Sequence, residues 1–307
     1  MKHNYKSTIV AACPSGLGNR MKCMVATIKA AEEKKMVPLL YWQKHSLCGC
    51  RYNDLFRSMP FAREIDEDEV YSLNKLYKHF GDRFEFNKTW TFTSSAGLPL
   101  DFKFNKLKKK EIAEFVDYFK EFKPTQEIED VIDAIYYKYS DDFAAGNVIG
   151  VHIRKGDYNV SFDGRQHIST DQGFHNKMRA LLEINPDYKF LICTEDAETE
   201  KKLEDLFGKD KMIYFHKQER GRDNPTAMKE ALIDLLLLSK CSIILGTFLS
   251  TFTEVAWWLG ECKANVCIIG EENREKVEDV WSRLPQPGES IVTKVIRRIK
   301  ILWRERI

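Results

Sequence analysis

The chain has 307 residues, of which 43% are hydrophobic and 31% are charged, a composition typical of a folded protein with one large domain or two ordinary ones. Its net charge of +2 argues against a nucleic-acid-binding protein, which would carry a strongly basic surface. The apolar run near the amino terminus is too short for a signal peptide, and no stretch reaches the roughly 18 apolar residues of a membrane span. We therefore expect a cytoplasmic protein.

Two regions of the sequence alternate between short apolar runs and helix-length segments. The first has an apolar run at 7–13, a turn at 14–19, a helical segment at 20–35 and a second apolar run at 37–42. The segment 108–122 has the periodicity of an amphipathic helix. The second region has strands predicted at 148–154, 188–195, 212–216, 242–247 and 265–270, separated by helices at 172–184, 198–207, 224–241 and 250–260.

This alternation is typical of parallel sheets covered by helices on both faces. The polar stretch 140–147 separates the two regions. We therefore predict an α/β protein with an N-terminal domain at 1–145, a C-terminal domain at 146–275 and a tail at 276–307. A ligand would bind between the domains, beyond the carboxyl ends of the strands.

A glycine-containing turn joins the first strand to the first helix. Gly16 and Gly18 let the backbone approach a ligand closely, and the start of the helix favours an anion. The basic residues Arg20 and Lys22 lie in the first helical turn, where the helix dipole disfavours cations, so an anionic ligand would resolve the conflict. A nicotinamide dinucleotide fits poorly, because Met21 replaces the third glycine of that fingerprint and the next strand does not end in an acid. A simple tight turn is the alternative.

Polar side chains also interrupt the apolar runs of the second region. His152 and Arg154 alternate along one strand near its carboxyl end and so point to the same face. Asp234 interrupts a strongly apolar helix and needs a donor, which a nearby lysine could supply. Ser250 and Thr251 precede a helix, at a position that suits a phosphate without a metal. Thr251 and Glu254 have the spacing of a capping box.

Three of these segments, 150–158, 190–196 and 234–260, resemble the motifs shared by the superfamily of α1,2-, α1,6- and protein O-fucosyltransferases, and 16–21 resembles its glycine loop. The resemblance implies a GT-B fold, in which two Rossmann-like domains face each other across a central cleft. It also implies a metal-independent, inverting glycosyltransferase that moves L-fucose from GDP-fucose to a hydroxyl of a glycan acceptor. GDP-fucose would be a substrate, and no cofactor is expected.

The resemblance assigns roles by position. Arg154 matches the arginine that holds the β-phosphate, His152 and Asp234 match positions near the guanine, and Ser250 with Thr251 matches the diphosphate loop. The donor-binding set implied by all four segments is Gly16, Gly18, Asn19, Arg20, His152, Arg154, Asp196, Asp234, Ser250 and Thr251. Arg154 would also be catalytic, because negative charge grows on the departing GDP.

The sequence departs from the superfamily pattern at one place and leaves one role open. Lys155 stands where some relatives carry a second arginine, and lysine keeps the charge but loses bidentate geometry. Asp157, Asp163 and His167 follow the same strand, and we select Asp157 as the catalytic base. An aspartate that merely forms a turn after a glycine is the alternative for Asp157.

Other functions stay open. A metal-dependent glycosyltransferase needs an Asp-x-Asp pair, and Asp66 and Asp68 have that spelling, but their uniformly acidic surroundings indicate a solvated face. Cys48 and Cys50 lack a second pair at zinc spacing, so we expect no metal. The chain could also use another nucleotide sugar, or bind a nucleotide or sugar without catalysis.

The C-terminal segment 291–307 has six basic residues and one acidic residue. Its apolar residues recur at helical spacing, which predicts a basic amphipathic helix. Such a helix could pack across the first domain, or it could lie on an anionic membrane surface where a cytoplasmic enzyme would meet lipid-linked acceptors.

Overall fold

The computed structural model describes residues 8–13, 15–70, 84–87, 109–155, 168–248 and 250–270. Two parallel β-sheets and the helices that cover them make up this part of the chain. Asp157, Asp163, His167 and the predicted C-terminal helix lie outside the described residues. None of the described helices is both long and apolar enough to cross a membrane.

The first half builds a four-stranded sheet. Its strands are β1 (Thr8–Ala12), β2 (Val37–Tyr41), β3 (Arg63–Glu64) and β4 (Phe84–Asn87), and its helices are α1 (Leu17–Lys34), α2 (Lys109–Lys120), α3 (Gln126–Lys138) and α4 (Ser140–Ala144), with a 3₁₀ turn at Tyr52–Asp54. The strand order is β3-β2-β1-β4, and each pair is parallel. Buried side chains occupy every position of β1, as expected for a strand covered on both faces.

The second half builds a five-stranded sheet. Its strands are β5 (Val148–His152), β6 (Lys189–Cys193), β7 (Met212–Ile213), β8 (Ile243–Gly246) and β9 (Asn265–Ile268), and its helices are α5 (Asp171–Ile184), α6 (Ala197–Phe207), α7 (Pro225–Leu238) and α8 (Thr251–Leu259), with a 3₁₀ turn at Lys209–Lys211. The order β7-β6-β5-β8-β9 is parallel throughout. This order reverses direction between β5 and β8, and such a switch point is where open α/β sheets bind ligands.

Local sequence signals explain where the helices begin. Asn224 caps α7 by accepting a hydrogen bond from the Ala227 amide (2.9 Å), and Pro225 occupies the first helical position, where a missing N–H costs nothing. Thr170 caps α5 in the same way. Helix α1 begins at Leu17, three residues before the predicted start, and Gly16, with an extended backbone, is its N-cap.

One hydrophobic cluster joins the two halves. It contains residues of α1 and α2 together with residues of α7 and α8, including Met24, Phe119, Leu235 and Trp258. The rings of Phe119 and Trp258 stack with centroids 6.0 Å apart. The two parallel sheets confirm the predicted α/β class. The division into two domains across a cleft stays a prediction.

Candidate active site

A cavity of about 140 Å³ lies at the carboxyl ends of β5 and β6, between the N-terminal ends of α1 and α8. A site for one water needs only about 10–15 Å³, so this cavity admits a much larger ligand. The predicted donor-binding residues that line it are Gly16, Gly18, Asn19, His152, Arg154, Asp234 and Thr251. The structure therefore brings together side chains from three separate sequence motifs, although their binding roles remain predictions.

Asp234 sits in the wall of the cavity and is only 6% exposed. Its Oδ2 atom contacts the Lys217 ammonium at 2.8 Å. Burial raises the pKa of Asp234 to about 6, and the positive charge of Lys217 limits that rise. Burial also lowers the pKa of Lys217, but the carboxylates of Asp234 and Glu200 outweigh burial and raise it overall. At neutral pH the two groups form a buried ion pair.

The loop between β7 and α7 also lines the cavity. Lys217, Arg220 and Arg222 of this loop all line it. The loop is held by Glu230, whose carboxylate accepts hydrogen bonds from the amides of Gln218 (2.7 Å) and Glu219 (3.1 Å). Since Glu230 belongs to α7 and is buried, the loop is anchored to the helix that carries Asp234.

His152 is buried beside the cavity in its neutral form. Its Nδ1 atom shares a hydrogen bond with Thr253 Oγ1 (2.9 Å), and its ring stacks on Phe252 with centroids 4.7 Å apart. Burial, together with the nearby charges of Arg154 and Arg222, lowers the pKa of His152 to about 3. The histidine therefore offers the cavity a neutral ring.

Thr247, which follows β8, ties the end of β5 to the loop that leads into α8. Its hydroxyl donates to the His152 carbonyl (3.0 Å) and accepts from the Arg154 amide (3.1 Å). This arrangement fixes the backbone of Arg154 near the start of α8. The amides in the first turn of a helix have no intrahelical partners and favour an anion.

Ser250 is the residue at the N-cap of α8, but its side chain does not cap the helix. The Ser250 hydroxyl is buried and has no hydrogen-bond partner among the described residues. A buried hydroxyl without a partner is costly. This unsatisfied group lies directly before Thr251 at the cavity, where a phosphate was predicted.

Glycines allow the two halves to meet at the cavity. A Cβ atom on Gly18 would lie 3.1 Å from the Thr251 carbonyl carbon, and one on Gly49 would lie 1.9 Å from that of Asp223. The Gly49 amide also donates to the Arg222 carbonyl (2.6 Å). The close approach that Gly18 permits is therefore between α1 and α8, in addition to any approach to a ligand.

Three predicted donor-binding residues do not line the cavity: Ser250, described above, Arg20 and Asp196. The guanidinium of Arg20 donates to the carbonyls of Ser15 (2.7 Å) and Gln43 (2.6 Å) and lies 4.6 Å from the Trp42 ring. Asp196 caps α6 through the Thr199 amide (3.0 Å). Lys155, the departure from the superfamily pattern, forms an ion pair with Asp171.

The predicted capping box of Thr251 and Glu254 is wrong. Glu254 is fully buried, and its Oε2 atom binds the Lys22 ammonium at 2.7 Å, across 232 positions of sequence. This pair, not an anionic ligand, compensates the charge of Lys22 near the start of α1. Arg20 is likewise compensated by backbone carbonyls, so internal contacts account for both cations near the start of α1.

The acidic and cysteine motifs carry no metal site in the described part of the chain. Asp66 and Asp68 are exposed, and Asp66 caps a turn by accepting from the Glu69 amide (2.8 Å). The Cys48 and Cys50 sulfurs lie 3.9 Å apart as free thiols. Across the described ranges no group of three potential ligands could hold a metal ion.

The loop residues Lys217, Arg220 and Arg222 were missed by sequence reasoning. A signal was present, because three cations and a glycine follow the short strand β7 and precede a capped helix. A loop of this kind, at the carboxyl end of a parallel strand, lies where ligands bind in such sheets.

Comparison with known proteins gives the fold a name. No protein family model and no curated protein match the chain. The solved structure of fucosyltransferase NodZ from Bradyrhizobium matches with a TM-score of 0.52 and 16% identity, over 82% of this chain and 92% of NodZ. The chain has a fucosyltransferase fold.

Two further structures share this fucosyltransferase fold. A mutant of Arabidopsis thaliana FUT1 in complex with GDP has a TM-score of 0.54 and 15% identity, over 85% of this chain and 70% of FUT1. POFUT1 in complex with GDP has a TM-score of 0.51 and 10% identity, over 87% of this chain and 99% of POFUT1. The fold of this chain is therefore similar to that of these fucosyltransferases, as the sequence resemblance predicted.

Proposed function

We propose that this protein is an inverting glycosyltransferase that transfers L-fucose from GDP-fucose to a hydroxyl of a glycan acceptor without a metal ion. The observation that carries the proposal is that one cavity is lined by the buried carboxylate of Asp234, by Arg154 and by the start of α8. The fold shared with NodZ, which has been soaked with GDP-fucose, supports the choice of donor.

The Asp234 side of the cavity suits a guanine base. Guanine presents two adjacent donors, N1–H and the 2-amino group, and an ionised carboxylate only accepts hydrogen bonds. Adenine presents an acceptor at the corresponding ring nitrogen and would leave Asp234 facing a lone pair. The neutral ring of His152, stacked on Phe252, adds no charge to this part of the cavity.

The Arg154 side suits the diphosphate. Arginine binds phosphate oxygens through two parallel N–H bonds, and the start of α8 adds backbone amides and the Ser250 hydroxyl. As the acceptor oxygen attacks the anomeric carbon of fucose, the bond to the β-phosphate oxygen breaks and GDP leaves with added negative charge. Arg154 and α8 would stabilise that charge, and Asp157 remains the proposed base for the acceptor proton.

We assign the donor to the half that begins at β5 and the acceptor side to the half that precedes it. A lipid-linked glycan is one acceptor that would suit a cytoplasmic enzyme with a basic C-terminal segment. A different GDP-linked sugar, or binding without catalysis, are the alternatives.

Release of the nucleoside diphosphate from a panel of nucleotide sugars in EDTA, with and without pooled glycan acceptors, tests the proposal. We expect release from GDP-fucose in EDTA and its acceleration by an acceptor. Activity that disappears in EDTA and returns with Mn²⁺ would contradict the metal-independent scheme. GDP binding without release from any donor would instead indicate a binding protein.

Arg154→Ala tests the leaving-group role directly. Losing one such donor typically lowers turnover by about 10²–10³-fold, so we expect a loss of that size with the fold retained. Arg179→Ala is the matched control, because Arg179 is exposed on α5 and does not line the cavity. Near-normal turnover in folded Arg154→Ala would refute the role.

A further inference from the structure

We propose that Lys217 is the positioning residue that gives Asp234 its preference for guanine, by orienting the carboxylate and keeping it ionised for the base. The proposal rests on the proposed function, because it concerns how the same cavity selects its nucleotide. It assigns a role to a lysine that never touches the reacting bond.

The contacts of Lys217 account for all three of its N–H groups. The ammonium lies 2.8 Å from Asp234 Oδ2, 3.3 Å from Glu200 Oε1 and 3.0 Å from the Thr194 carbonyl. These partners belong to α7, α6 and the end of β6, so three elements hold the side chain in one place. A lysine that donates three hydrogen bonds has no further donor for a ligand.

A second cation, Arg220, compensates the other carboxylate that contacts Lys217. Arg220 binds both oxygens of Glu200, at 3.0 and 2.6 Å, and this fork-to-fork contact compensates the Glu200 charge. Asp234 in turn has Lys217 as its one ion-pair partner among the described residues. The charge of Lys217 is therefore directed mainly at Asp234.

The other groups around Asp234 do not replace Lys217. Cys193 packs against α7 from β6 and donates its thiol to the Asp234 carbonyl (3.6 Å), and Glu200 and Arg220 lie beyond Lys217. Glu230, one turn earlier on α7, is occupied by two loop amides. Without Lys217, burial would favour the protonated carboxyl. A protonated carboxyl carries a donor of its own and cannot accept from both guanine groups.

Lys217→Met keeps the length and removes the charge, and GDP affinity measured by calorimetry from pH 5.5 to 8.5 reports the effect. We expect Lys217→Met to bind GDP about ten- to a hundredfold more weakly at pH 7, the usual loss for hydrogen bonds to a charged group. The acid limb of its binding profile should move to higher pH. The β-phosphate of GDP titrates in the same range, but equally for both proteins, so the difference between them reports Asp234.

Two further comparisons separate this role from a merely structural one. Inosine diphosphate lacks the 2-amino group of guanine, so the preference of the wild-type protein for GDP over inosine diphosphate should shrink in Lys217→Met. Lys217→Arg retains the charge and should restore the wild-type pH profile. Lys202→Met is the control, because it removes an exposed ion pair of α6 outside the cavity.

A double variant keeps the test decisive if Lys217→Met does not fold. Lys217→Met with Asp234→Asn removes both buried charges, and we expect it to bind GDP as weakly as Asp234→Asn alone. An additional loss in the double variant, or an unchanged pH profile and nucleotide preference in Lys217→Met, would overturn the proposal. If the wild-type protein does not bind GDP at all, the proposed function fails and this inference fails with it.

Discussion

The buried ion pair between Lys22 and Glu254 should be a major determinant of stability. The two side chains are 3% and 0% exposed, and their charged atoms are 2.7 Å apart. Removing one partner of such a pair leaves an uncompensated buried charge and typically costs about 3–5 kcal/mol. We therefore expect Glu254→Leu to lower the free energy of unfolding by that amount, a large part of the roughly 5–15 kcal/mol available to a native protein.

Urea denaturation monitored by tryptophan fluorescence measures this loss. Trp258 donates to Glu254 at 3.5 Å and lies in the core shared by both halves, so its emission reports the relevant packing. The double variant Lys22→Met with Glu254→Leu removes both charges, and we expect it to recover most of the lost stability, because apolar replacements of buried pairs are often neutral or favourable.

A surface pair provides the control for the same measurement. Lys29 and Glu114 form a 2.9 Å contact with side chains 22% and 35% exposed, and pairs of this kind contribute about 0–1 kcal/mol. Lys29→Met should therefore have a small effect. If Glu254→Leu costs no more than Lys29→Met, or if the double variant is as unstable as the single one, the argument from burial is wrong.

Three other predictions concern packing, pH and the C-terminal segment. Gly49→Ala places a Cβ atom 1.9 Å from the Asp223 carbonyl carbon and should lower the free energy of unfolding, measured in urea, by at least about 1–3 kcal/mol. The control Gly16→Ala, whose Cβ atom meets nothing closer than 3.9 Å, should lower it by less than about 1 kcal/mol. Equal losses would show that the close contact at Gly49 does not set the cost. Burial lowers the pKa of His152 to about 3 from an ordinary value near 6.5. Its contribution to stability is therefore complete above pH 6.5 and is lost as pH falls towards 3, by up to about 1.4 kcal/mol per pH unit. His152→Gln should flatten the acid slope of the unfolding free energy, and an unchanged slope would refute this. We expect deletion of 291–307 to destabilise the protein, as for a helix that packs on the first domain; a truncated chain that stays folded but no longer sediments with anionic vesicles would support the membrane alternative.

The strands and helices of the second half could be predicted because each carries a strong local signal. Strand β5 is an apolar run, and α7 begins at an Asn-Pro pair that caps a helix. Strand β7 was predicted too long, since only Met212 and Ile213 pair with β6. Helix α3 was missed although Ile128 and Ile132 recur at helical spacing and are buried.

The candidate site could be predicted as far as its individual motifs but not as a network. Asp234 was expected to need a donor, and a nearby lysine was one possibility, but nothing in the sequence indicates that Lys217 comes from a loop 17 positions away. The partnership of Lys22 with Glu254 spans 232 positions, and the local spacing of Glu254 favoured a helix cap instead. Local rules describe local contacts, and the pairing of distant charges follows only from the folded chain.

The core shared by the two halves also has a consequence for how the protein is made. Residues of α1 and α2 complete their packing against α7 and α8, which leave the ribosome more than a hundred residues later. Until then the apolar faces of the first helices have no partner, and exposed faces of this kind promote aggregation during synthesis. Contacts of such long range also slow folding. We therefore expect a fragment that ends before β5 to be poorly soluble when produced alone, and the nascent chain to depend on chaperones until α8 has emerged.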